Sequence, residues 1–177
     1  SGWPKDVNYR INSAPVIGDI DNDGDLEVVI AHAGCYGSRN EGELFVFDYL
    51  GNILWKKEVK WPAMESSPVL LDIESDKLLE ISLSSDDGWG DLIHLFSSKG
   101  EYIQGWPQYF RWNVLVKNAY PTPAVGDIDD DNEVELIVGS YTKKLYGLNR
   151  DGSVLGGWPK ATGGRVSGTP SIGDLDN

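Results

Sequence analysis

Carboxylates alternate along the nine residues Asp19-Ile20-Asp21-Asn22-Asp23-Gly24-Asp25-Leu26-Glu27. In a tightly curled loop, side chains at positions 1, 3 and 5 point towards one centre. A glycine at position 6 permits the left-handed turn that brings the chain back. Position 7, here Asp25, offers its main-chain carbonyl, and Glu27 closes the site from the start of the following strand. Five oxygen donors plus water supply the six to eight that Ca²⁺ prefers. Mg²⁺ demands stricter octahedral geometry and keeps several waters. No His or Cys joins the cluster, which disfavours Zn²⁺.

The same pattern recurs in Asp127-Ile128-Asp129-Asp130-Asp131-Asn132-Glu133-Val134-Glu135, where only position 6 differs. Asn tolerates the left-handed conformation better than most residues, so Asp127, Asp129, Asp131, Glu133 and Glu135 form a second expected metal site. A weaker copy runs Asp72, Glu74, Asp76, Leu78 and Glu80, with the longer Glu at position 3 and Lys77 at position 6. Asp174 and Asp176 begin a fourth copy. One such loop alone reads equally well as an Asn/Asp-rich turn; two nearly complete copies in register favour Ca²⁺. The first half of the loop is like an EF-hand. It lacks the Glu at position 12 and flanking helices, and its last ligand at position 9 suits a strand–loop–strand hairpin.

The elements that must hold these loops repeat with them. The leading Asp residues 19, 72, 127 and 174 are spaced by 53, 55 and 47. Residues 2–22 align with 157–177 without a gap, 11 of 21 positions being identical. Trp-Pro pairs recur at Trp3, Trp61, Trp106 and Trp158. In each unit a small residue and a Pro precede an apolar stretch, and the acidic loop follows. Then come β-rich runs at Leu26–Ala31, Leu79–Leu83 and Val134–Val138, and third runs at Leu44–Asp48, Leu92–Phe96 and Lys144–Leu148. A glycine turn leads to fourth runs at Ile53–Trp55, Tyr102–Gln104 and Ser153–Leu155. Four short strands per unit of roughly 50 residues, without a helical period, predict an all-β fold: a β-propeller segment of about three and a half four-stranded blades. Blade 1 spans about 12–60, blade 2 about 65–107, blade 3 about 120–159 and a partial blade 4 about 165–177. A ring needs more blades, so the expected partners are the remaining blades of a longer chain or a second copy.

Composition agrees. The 177 residues are 40% hydrophobic and 11% aromatic, with 21 Gly and 9 Pro, as suits short strands and many turns. The net charge of −13 is local: the four loops hold 17 of the 28 acids, and 15 Lys and Arg outnumber the rest. That pattern calls for a cation rather than for nucleic acid. No apolar run approaches the ~20 residues of a membrane span. The single Cys35 excludes an internal disulfide framework.

The segments GDIDNDGDLEVVIA and GDIDDDNEVELIVGS resemble the FG-GAP/VCBS repeats of integrin α-subunit heads and of many secreted bacterial and archaeal proteins, the microbial group being closest at GWPK and NRDGSVLGGWPK. The resemblance implies a seven- or eight-bladed ring with Ca²⁺ in the loop between the first two strands of a blade. It implies an extracellular, secreted or cell-surface setting with a structural, adhesion or ligand-binding role, towards a protein or carbohydrate ligand. Alternatives are a fragment of a secreted enzyme, such as a polysaccharide lyase or a protease appendage, and a subunit of a cell-surface polymer.

Other chemistry has less support. No G-x-S-x-G elbow or H-E-x-x-H motif is present, and no catalytic residue is expected. His32 and His94 fall in strands of different units, where a lone His is usually packed or solvated. Trp3, Trp61, Trp106 and Trp158 read as packing residues of the repeat, whereas Trp55, Trp89 and Trp112 read as not shared between units. A ligand face would be sought at Trp89, Trp112 and the insertion Gly34–Gly42, which holds Cys35, Tyr36 and Arg39.

Overall fold

A computed structural model describes residues 2–7, 10–32, 42–59, 66–86, 90–111 and 121–174. They form twelve strands and, among the described residues, no helix. The strands are β1 Val16–Gly18, β2 Glu27–His32, β3 Gly42–Phe47, β4 Ile53–Val59, β5 Val69–Leu71, β6 Glu80–Asp86, β7 Gly90–Phe96, β8 Gln108–Arg111, β9 Ala124–Gly126, β10 Glu135–Ser140, β11 Lys144–Leu148 and β12 Lys160–Ala161. They build three four-stranded antiparallel sheets in the orders β1-β2-β3-β4, β5-β6-β7-β8 and β9-β10-β11-β12. The register repeats: Gly18 opposes Glu27, Leu71 opposes Glu80 and Gly126 opposes Glu135. Each acidic loop therefore bridges the first and second strands of its sheet.

The second strands, and β3 and β7 among the third, are buried on both faces along most of their length, as in a sheet covered on both sides. In the first sheet Val29, Ala31, Leu44 and Val46 point one way, into a cluster with Ile81, Leu83 and Phe96 of the second sheet. Leu71, Ile73, Ile93 and Leu95 of the second sheet meet Leu136, Val138 and Leu148 of the third in the same manner. Fully burying one such side chain contributes ~1.5–3 kcal/mol, so the contacts between sheets hold the chain together. Two polar bonds follow the same direction. Ala14 N–H donates to Ser67 Oγ at 2.9 Å, and Ser67 N–H to Thr122 Oγ1 at 3.0 Å. These bonds fall where β1 lies beside β5 and β5 beside β9.

The fourth strands of units two and three are not where the sequence placed them. Tyr102 and Val154 make only single bridges, to Phe96 and Leu148. The pairing resumes after the Trp-Pro pair, in β8 and β12. Proline brings no N–H to a ladder, and Gly105 and Gly157 turn left-handed just before it (φ 96° and 77°). In the first unit no such pair interrupts, and β4 runs on with a bulge at Val46/Phe47.

Candidate metal centres

All three loops share one hydrogen-bond frame. In the first, Asp19 accepts N–H bonds from Asp23 (3.1 Å) and Gly24 (2.9 Å), and Asp23 accepts one from Asp25 (2.8 Å). Glu27, buried at the start of β2, reaches back to the Ile20 N–H at 2.9 Å. Loop three repeats every bond, with Asp127, Asp131 and Glu135 as acceptors. Loop two does so with Asp72, Asp76 and Glu80. Positions 4 and 6 are left-handed in each: Asn22 and Gly24, Ser75 and Lys77, Asp130 and Asn132. Only position 6 was foreseen; the small polar residues at position 4 were the unread signal.

The frame brings Asp19, Asp21 and Glu27 together, each offering an oxygen within 4.8 Å of the others. Asp127, Asp129 and Glu135 converge likewise. These two groups could hold a metal ion, and their donors are all carboxylate oxygens. Asp23 and Asp131 each turn one oxygen to the N–H of Asp25 and Glu133. Burial pushes the Glu27 carboxyl above its usual range, and the charges of Asp21, Asp23 and Asp19 add to it against the Ile20 N–H. Glu135 is raised by the same causes, burial first, then Asp129, Asp131 and Asp127 against the Ile128 N–H. A cation at either centre would relieve that repulsion.

Loop two differs in its cations. Arg150, from the third unit, pairs with Glu74, and Lys77 stands at position 6. Asp72, Glu74 and Glu80 do not form a third convergent group among the described residues. Burial raises Glu80 to about 7, assisted by the charges of Glu74 and Asp76. The Arg150 contact spans 76 residues, a separation at which loop-by-loop reading of the sequence has nothing to detect.

The tryptophans carry a correction. Trp55 is shared between units. Its indole N–H donates to the Ser98 carbonyl at 2.8 Å, as Trp3 does to Tyr49 (3.1 Å) and Trp106 to Arg150 (2.8 Å). Each acceptor is the second residue of a five-residue turn whose fourth is a left-handed glycine, Gly51, Gly100 or Gly152. Units one and two thus each lock onto the turn of the next, and Trp3, ahead of unit one, locks onto the turn of unit one. The role was hidden because Trp55 arrives directly on β4, opposite Val46, whereas Trp106 arrives through a Gly-Trp-Pro turn. Trp61, Trp89, Trp112, Cys35, Tyr36, Arg39 and Asp176 lie outside the described residues.

His32 and His94 are both buried. His32 Nε2 lies 3.2 Å from Glu43, which also takes Lys56 at 2.6 Å, and these two bonds, the Lys56 one foremost, hold the Glu43 carboxyl low. His94 sits between Ser85 Oγ (Nε2, 2.7 Å) and the Tyr102 hydroxyl (Nδ1, 2.8 Å). A Ser–His pair is the raw material of nucleophilic chemistry, but Ser85 and His94 are each only 1% exposed. Burial holds the imidazole down at about 4 and the Tyr102 hydroxyl up at about 12.

The pH consequence has a definite sign. A His whose folded pKa is about 4, against 6.5 ordinarily, binds fewer protons folded than unfolded. Its stability contribution is intact above pH 6.5 and falls, by about 3 kcal/mol in all, as pH drops towards 4. Glu80, raised from 4.5 to about 7, has the opposite slope and withdraws stability as pH rises through that interval. The two partly cancel, so the group itself must be followed. By NMR the His94 imidazole is expected to stay neutral down to a pH of about 5; titration near 6.5 would refute its sealing.

No family model matches this chain, and no curated protein matches it. Among solved structures, the V. cholerae biofilm matrix protein Bap1 matches at 22% identity and a TM-score of 0.33, over 80% of this chain and 27% of that one. The chain thus spans about a quarter of that structure's length, and at this TM-score the likeness carries no argument.

Proposed function

We propose that this chain is a Ca²⁺-binding segment of an extracellular β-propeller of the FG-GAP/VCBS kind, acting as a structural or ligand-binding module. The observation that carries the reading is the pair of three-carboxylate groups, Asp19/Asp21/Glu27 and Asp127/Asp129/Glu135, built on one repeated loop frame. All-oxygen donors on a flexible loop suit Ca²⁺ better than Mg²⁺ or Zn²⁺. Four-stranded meanders with neighbouring first strands, joined sheet to sheet by apolar faces and indole locks, support the propeller part. A rigid ring of this type presents its loops as binding surfaces.

Loop two carries its own cations, Arg150 and Lys77, and is expected to take no ion. Calorimetric titration with Ca²⁺ should therefore return two ions per chain. Asp21→Ala should remove one of them, and Glu74→Ala none. A stoichiometry of three, or equal losses from the two substitutions, would overturn this ranking, and no binding heat at millimolar Ca²⁺ would overturn the function.

A further inference from the structure

The acidic loop occupies one end of each sheet, and the connection from second to third strand occupies the other. In the third sheet that connection is the tight turn Tyr141-Thr142-Lys143. The Lys143 N–H closes it on the Ser140 carbonyl at 3.2 Å. Pairing then gathers cations around the turn. Lys144 lies opposite Ala161, and Leu145 opposite Lys160, across β11 and β12. The Thr162 N–H donates to the Lys143 carbonyl at 3.1 Å, and the Val166 N–H to the Ser140 carbonyl at 3.2 Å. The second of these bonds brings in Arg165, whose guanidinium stands 5.4 Å from the centre of the Tyr141 ring. Lys143, Lys144, Lys160 and Arg165 are all exposed.

Three properties separate this patch from ordinary solvated lysines. Its charge is unanswered. Lys56, Lys57 and Arg150 each have an acidic partner, whereas these four cations form no ion pair among the described residues, in a chain whose net charge is −13. Asp91 reaches the Ser140 hydroxyl at 2.8 Å but is itself buried. Glu135, at the far end of β10, is ~17 Å from Ser140 along the strand, beyond the ~8 Å screening length of physiological salt. The backbone is also unfavourable for the residue it carries. Lys143 is left-handed (φ 61°), a conformation that Gly or Asn adopts at lower cost and that marks functional positions. Lastly, the cations are no part of the repeat. The corresponding stretch of unit two reads Asp86-Asp87-Gly88-Trp89-Gly90-Asp91, so packing of sheet on sheet does not call for them.

We propose that this end of the third sheet binds an acidic polysaccharide, whose carboxylates meet Lys143, Lys144, Lys160 and Arg165. Four unpaired cations ask for a polyanion. Two aromatic rings stand among them: Tyr141 beside Arg165, and Trp158 with the Lys160 ammonium 5.5 Å from its centre. A chain of sugar acids offers both matching features, recurrent negative charge and apolar ring faces that lie on aromatic side chains. The choice of a polysaccharide rests on the extracellular setting of the proposed function. The patch itself is independent of the metal centres.

Binding of the whole chain to hyaluronan, a soluble polymer with a carboxylate on every second sugar, tests this, with dextran as the uncharged comparison. The wild type is expected to bind hyaluronan and not dextran, with an affinity that falls as salt rises. Lys143→Asn with Lys144→Gln should weaken binding on the order of 10-fold. Asn suits the left-handed position and both sites are exposed, so the fold is expected to survive, as circular dichroism can verify. Arg10→Gln with Lys99→Gln removes the same charge from exposed positions elsewhere and should change affinity by less than about 2-fold. A wild type that does not bind, equal weakening by the two pairs, or dextran bound as tightly as hyaluronan would overturn the proposal. So would a DNA duplex or a phosphatidylserine vesicle bound more tightly than hyaluronan. Loss of binding in chelator, with the fold intact, would assign the polymer to bound ions and overturn it too. Hyaluronan bound by a chain that gives no heat with Ca²⁺ would remove the metal reading and leave this one standing.

Discussion

Removing calcium is expected to lower the melting temperature of this chain by on the order of 10 °C. An ion that binds only the folded state stabilises it by RT ln(1 + [L]/Kd). Extracellular Ca²⁺ modules commonly bind at ~10⁻⁴–10⁻³ M, so 10 mM Ca²⁺ is on the order of 10–100 Kd and contributes ~1.4–2.7 kcal/mol per site. Two sites give ~3–5 kcal/mol, and for a chain of this size each kcal/mol moves the midpoint by ~2–4 °C. The effect is enlarged by what lies under the ions. Glu27 and Glu135 are buried carboxylates pushed up by burial and by three neighbouring Asp charges each, so the empty centre is a repulsive one. Calorimetric scans in Ca²⁺, in chelator and in Mg²⁺ at matched ionic strength separate specific binding from screening. Identical midpoints in Ca²⁺ and chelator, or an equal rise with Mg²⁺, would reject calcium.

That prediction was within reach of the sequence because the loop is local. Its ligands lie within nine residues, and its frame is set by short polar side chains bonding to their own backbone. The same locality made the sheets legible: β2, β6 and β10 begin at Glu27, Glu80 and Glu135, the last positions of their loops. Most of what escaped is set by contacts between units. Trp55 looks unlike Trp106 by its neighbours in sequence, yet both meet the second carbonyl of the following turn. Arg150 looks like an ordinary turn residue until it is seen against Glu74. The Ser85–His94–Tyr102 chain joins three residues that carry no repeat signal, because Phe45 stands in the first sheet where His94 stands in the second. Repetition reveals what all units share. It hides the substitutions by which one unit differs, and in this chain those substitutions decide which loop is left without a convergent site.

Trp106→Ala is expected to cost ~3–5 kcal/mol, the usual range for a large aromatic removed from a core. Trp106 is 7% exposed, packs in the cluster between the second and third sheets, and satisfies the Arg150 carbonyl. Truncation would leave both a cavity and an orphaned acceptor. Trp106→Phe keeps most of the apolar area and loses the hydrogen bond, so it should cost distinctly less. Trp3 makes the same bond at the first sheet but is 41% exposed, and Trp3→Ala should be the mildest of the three. Urea denaturation of the variants gives the order directly. The position of the lock adds a second signature. In an array held together by contacts between neighbouring sheets, weakening one junction uncouples the units on either side. The third sheet of Trp106→Ala should then melt before the first two, as a separate transition. A single transition with a cost no larger than that of Trp3→Ala would mean that the apolar faces alone join the sheets, and that the indole bonds only decorate a junction already made.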